Sequence, residues 1–230
     1  MRRAAGGVPG GSGPEEPETA GDVAPISQAA LSQDLRDALE EEWGAWNALD
    51  GEAKVVSSHT PGWCQQGFED WAAAEAFLGF SVPNPLEACD WLEKGTYVAM
   101  PLGFRDAPRV DLQWCGTVEG YVDWVIVEAG YRSGSTRVMT AALLYGDPAR
   151  ATLSDRDWSL DLGRQEAPAD TEGGVLHVIP ERTERYCSRT AYLVWGGLLY
   201  RVQIVGEPDG QAEVEETLER ALEAFSENPA

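Results

Sequence analysis

The sequence predicts an α+β fold: an antiparallel meander sheet preceded by N-terminal helices and closed by a C-terminal helix. Three observations carry that prediction. Apolar residues recur at three- and four-residue steps over 26–49 and again over 211–225, the spacing of one helix face. Between them lie runs rich in Val, Leu, Tyr and Trp, separated by turn signals. The run TAYLVWGGLLYRVQIV at 190–205 sets Gly196-Gly197 between two strand-like halves, where a two-residue hairpin turn needs positive φ at both positions.

The elements follow in order. In 26–49, Leu31, Leu35, Ala38, Leu39, Trp43, Trp46 and Leu49 form the apolar stripe, while Asp34, Asp37, Glu40, Glu41 and Glu42 take much of the remaining surface. Asp50-Gly51 ends this helix, and a short helical stretch over 53–58 precedes HTPGW at 59–63, where Pro61 disfavours helix at Thr60. Residues 69–78 read as a second helix, with Trp71, Ala74, Phe77 and Leu78 as its apolar face and Gly79 as its C-terminal cap. The two prolines of FSVPNPLE make that segment extended or turned. Strands are expected at 96–102, 110–118, 121–129, 136–145 and 174–179, with a polar excursion over 147–173. The closing helix at 211–225 packs through Val214, Leu218, Leu222 and Phe225. Residues 26–228 are read as a single α+β domain. Residues 1–25, with six glycines, four prolines and no aromatic residue, are read as a disordered leader that has too little to bury to offset its ordering entropy.

Charge narrows the range of partners. With 39 acidic and 17 basic residues in 230, the net charge is −22, and long-range repulsion opposes nucleic acid and anionic membrane. No apolar run is long enough to span a bilayer, and Arg2-Arg3 is not followed by the apolar stretch that an export signal needs. The localisation stays unknown on this reading: soluble as given, extracytoplasmic if a longer precursor exists. The expected partner is a protein or a small ligand.

Motifs of chemistry are sparse. Cys64, Cys89, Cys115 and Cys187 form no CxxC pair; two disulfides and four buried free thiols are both compatible with their number. His59 and His177 stand 118 positions apart, with no metal-binding spacing around either. His59 lies in a proline turn, and His177 in the strand-like run VLHVI. In DRDWSLDLGRQE at 155–166, Asp155, Asp157, Ser159, Asp161 and Glu166 have the spacing of a calcium loop. Leu160 occupies the place where such a loop needs glycine, so the segment is read as a solvated acidic loop. The glycines of GGVPGGSG follow no strand, and the two lysines, Lys54 and Lys94, follow no phosphate loop. Among the nine tryptophans, Trp43, Trp46, Trp71 and Trp195 fit core stripes. Trp63, Trp91 and Trp158 have no assigned place, and Trp114 and Trp124 are expected to pair across adjacent strands. No catalytic, cofactor-binding or metal-binding residue is assigned.

Three stretches together carry a family likeness: SSHTPGWCQQGFEDWAAAEAFLGFSVPNPLE at 57–87, EAGYRSGSTRVMTAALLYG at 128–146, and RTAYLVWGGLLYRVQIVG with the acidic helix that follows, over 189–225. They resemble a domain family of unknown function from secreted or membrane-anchored Firmicutes proteins, whose members include extracytoplasmic portions of sporulation-linked and anti-sigma-factor-like proteins. The resemblance spans roughly 160 residues and rests on core and turn patterns. It implies a non-catalytic interaction or sensor-type domain and supplies no catalytic residues. The alternatives are an acidic inhibitor or immunity-type protein that binds a basic partner, and then a carboxylate-dependent hydrolase.

Overall fold

In a computed structural model, the described residues are 26, 30–56, 61–94, 110–146, 175–196 and 198–227. The leader at 1–25, the strand expected at 96–102, the excursion at 147–173 with its acidic loop, and His59 lie outside them.

Helix α1 spans Gln33–Ala48. It begins later than the apolar stripe suggests because Ser32, in extended conformation, caps it: the Ser32 hydroxyl accepts from the Leu35 N–H at 3.2 Å. A short helix, α2, follows at Gly51–Val56. Helix α3 covers Trp71–Leu78, capped by Asp70, whose carboxylate accepts from the Ala73 N–H at 2.8 Å. It ends at Gly79 with φ 86°, as its sequence position predicts. A 3-10 turn at Pro85–Ala88 then follows the extended FSVPN segment. The last helix, α4, is Gln211–Glu227.

The strands are β1 (Trp63–Phe68), β2 (Glu93–Lys94), β3 (Val110–Gly116), β4 (Val122–Ser133), β5 (Thr136–Tyr145), β6 (Val175–Arg182), β7 (Cys187–Trp195) and β8 (Leu198–Gly206). The fold class is α+β, and every strand pairing is antiparallel. Two features depart from the expected layout. Strand β1 lies between α2 and α3, where no strand was expected, so helices and strands interleave. The order β1-β3-β4-β5-β8-β7-β6 is two meanders joined at β5 and β8, with β2 attached to the far end of β4. The β7–β8 hairpin turns where the sequence places it, with Gly196 at φ 57°.

Alternation along the strands puts Leu112, Trp114, Val125, Val127, Tyr131, Val138 and Ala142 on one face, in a single core with Leu35 and Leu39 of α1, Ala74 and Leu78 of α3, and Val214, Leu218 and Phe225 of α4. All three long helices therefore cover the same side of the sheet. Burial at roughly 25 cal/mol per Å² of apolar surface makes this layer the main stabilising term. Within it the Tyr131 hydroxyl donates to Glu87 at 2.6 Å and accepts from the Asn84 amide at 2.8 Å. Trp195, half-buried, meets Tyr200 and Phe225 edge-on at 5.8 and 5.6 Å between ring centroids. On the opposite face a smaller cluster joins Ala141, Leu143, Tyr192 and Leu199, with Trp124, Ile126 and Val194 packed against it.

Candidate functional site: an acid-rimmed groove on the edge strand

Among the described residues strand β1 borders only β3, so one of its edges closes the sheet. Its register is continuous from Trp63 opposite Cys115 to Phe68 opposite Val110. The Gly116 N–H donates to the Gly62 carbonyl at 3.1 Å, which fixes the alternation of the ladder. Cys64, Gln66 and Phe68 then turn their peptide groups towards β3, and Trp63, Gln65 and Gly67 turn theirs outward.

Gly62 holds this corner together. At φ 77°, a Cβ there would stand 2.3 Å from the Gly116 carbonyl oxygen and 2.7 Å from Trp43 Nε1. That absence of a side chain lets the Trp43 indole donate to the same Gly116 carbonyl at 3.0 Å, tying α1 to the end of β3.

Between α1 and β1 lies a groove of about 470 Å³. Its helical wall is Ala38, Glu41, Glu42 and Ala45, residues spaced three, four and seven apart and so on one face of α1. The two alanines leave the space, and the two glutamates rim it. Its other wall is Trp63, Cys64, Gln65 and Gln66. Trp63 is 37% exposed. Trp114 also lines the groove; its side chain is only 1% exposed and its ring stands 5.4 Å from that of Phe77. The Trp114 indole N–H is buried without a hydrogen-bond acceptor among the described residues. Such an orphan donor typically costs on the order of 1–3 kcal/mol.

Electrostatics in the groove favour protonated, cationic or neutral groups. Burial pushes the Cys64 thiol up to about 12, with Glu42 and then Cys115 adding to the rise. The thiol points at the Ala38 carbonyl, 3.7 Å away. Behind the groove, the Gln65 amide donates to Asp111 at 2.7 Å and the Gln113 amide at 3.4 Å. Burial raises the Asp111 carboxyl and these two amides partly counter it.

The residues singled out in the sequence fall as follows. Cys64, Cys89, Cys115 and Cys187 are all free thiols. His177 takes the register position opposite Tyr192. Trp71 is buried and donates to the Val82 carbonyl at 2.7 Å. Trp43 and Trp46 are half-buried, Trp46 lying 5.9 Å from the Lys54 ammonium. Trp91 stacks under Arg220 at 4.2 Å. The expected pairing of Trp114 with Trp124 does not occur: Trp114 stands opposite Val125 and Trp124 opposite Cys115, on opposite faces of the sheet. Among the described residues no group of three or more His, Cys, Asp or Glu side chains is placed to hold a metal ion. No helix among them is long and apolar enough to cross a membrane.

Glu41, Glu42, Gln65 and Gln66 were not singled out from the sequence. Their signals were present but weak: two alanines and two glutamates sharing one helix face, and a run, WCQQGF, without charge in a strongly acidic chain. Comparison with family models, with curated proteins and with solved structures returned no match.

Proposed function

We propose that this chain is a non-catalytic interaction domain that receives a positively charged segment of a partner protein in the α1–β1 groove. The observation that carries this reading is the composition of the groove: Glu41 and Glu42 on its helical wall and the exposed Trp63 on its other wall. A cationic side chain matches the rim, and an aromatic surface suits its aliphatic stem. The net charge of −22 steers basic partners in from a distance. The raised thiols of Cys64, Cys89 and Cys115 hold their protons at neutral pH, which makes them poor nucleophiles.

Calorimetric titration of the full chain with lysine-rich peptides tests the proposal. Affinity should fall at least fivefold in Glu41→Gln/Glu42→Gln and should weaken further as salt shortens the Debye length to a few ångströms. Equal affinity in the double variant would overturn it.

A further inference from the structure

The groove reading above says what charge the partner carries; the two edges of the sheet say what conformation it adopts. Strand β6, at one edge, is defended. It contains Pro180, which has no N–H to offer, the charged pair Glu181 and Arg182, and a register irregularity between Val175 and His177. Those are the usual devices by which sheets avoid pairing with further strands. Strand β1, at the other edge, has none of them. Its six residues include no proline and no charged side chain, and its register with β3 runs without a break. Gln65 and Gly67, both exposed, turn their N–H and C=O groups away from β3.

The acid-rimmed groove runs beside this edge, which no other described strand covers, so backbone pairing and side-chain recognition are offered to the same ligand. We propose that β1 is a strand-addition site, at which an extended basic peptide pairs with the outward edge at Gln65 and Gly67 and becomes a further strand of the sheet. Alternate side chains of such a strand point to the α1 side of the sheet. There a lysine or arginine meets Glu41 and Glu42. This proposal rests on the basic-partner reading, and it adds that the peptide backbone, not only its charge, is bound.

The probe is the capped hexapeptide Lys-Thr-Thr-Thr-Lys-Thr, whose first, third and fifth residues share one face when extended. It is titrated into the full chain unmodified, and then with N-methyl groups on its odd or on its even residues. A strand uses one alternate set of its amides to pair. Methylation of one set should therefore lower affinity more than tenfold, and methylation of the other should leave it within threefold. Hydrogen exchange at the Gln65 and Gly67 amides should slow when the unmodified peptide is bound. If the peptide binds, loses affinity in Glu41→Gln/Glu42→Gln, and tolerates both methylation patterns equally, strand addition is overturned and the basic-partner reading stands. If the unmodified peptide shows no binding up to 1 mM, both fail.

Discussion

Asp111 and Glu128 stand directly opposite one another across β3 and β4, on the sheet face away from the helices. Like charges so placed repel. Each carboxylate has its own support: the amides of Gln65 and Gln113 donate to Asp111, and the Arg201 guanidinium pairs with Glu128 at 2.5 Å. Burial still holds the Asp111 carboxyl above its ordinary range. A folded-state pKa above the unfolded one means that the folded chain binds the extra proton between the two values. Stability therefore falls as pH rises through that window and stays lower above it.

Asp111→Asn should remove this penalty. We expect the variant to be more stable than the parent at pH 7, by about 0.5–1 kcal/mol, the scale of an opposed cross-strand pair. The gain should shrink as pH falls and the parent's carboxyl protonates. Urea midpoints at pH 7 and at pH 4 measure both; an unchanged or lowered midpoint at pH 7 would contradict the burial argument.

The edge-on contacts of Trp195 with Tyr200 and Phe225 bind the β7–β8 hairpin to α4. Trp195→Ala should lose about 3 kcal/mol, at the low end of the range for large aromatics because the ring is half-buried. Chemical denaturation decides this, and a loss below about 1 kcal/mol would show that the aromatic trio does not hold the helix.

Two glycines at similar φ separate backbone conformation from close approach. Gly62 has φ 77° with the Gly116 carbonyl 2.3 Å from where a Cβ would sit; Gly120 has φ 80° with open space around it. Gly120→Ala should cost about 1 kcal/mol, for the left-handed conformation alone. Gly62→Ala should cost about 3 kcal/mol, because backbone must also move, and it should weaken peptide binding in the neighbouring groove. Equal losses in the two variants would mean that the corner relaxes freely.

The Cys64 thiol, pushed up to about 12 from an ordinary 9.0, carries about a thousandth of the thiolate of an unfolded thiol at pH 8. Alkylation by iodoacetamide at pH 8, followed by mass mapping, should label Cys64 at least a hundredfold more slowly in the folded chain than in urea. Because the folded state keeps this proton while the unfolded state releases it, Cys64 should also make stability decline between pH 9 and 12. Comparable labelling rates with and without urea would show an accessible, ordinary thiol.

The features that could be read from the chain before folding are local ones. Helices α1, α3 and α4 were legible because their apolar periodicity and their caps are written within a few turns of chain, and Leu35, Leu39, Val214 and Phe225 are buried as that spacing requires. The β7–β8 hairpin was legible because Gly196-Gly197 dictates the turn. The tertiary structure decided what depends on distant pairing. WCQQGF has no alternating pattern, and it is a strand because β3 offers it a ladder 42 to 52 positions later in the chain. The faces of Trp114 and Trp124 follow from the β3–β4 register, in which an even-numbered residue pairs with an odd-numbered one from Val110 to Cys115. The groove has the same origin. Glu41 and Glu42 lie on α1, Gln65 on β1 and Trp114 on β3, and no local rule joins them. They meet because burying the stripe of α1 against the sheet lays that helix beside an edge strand, a consequence of long-range hydrophobic burial that short-range periodicity does not encode.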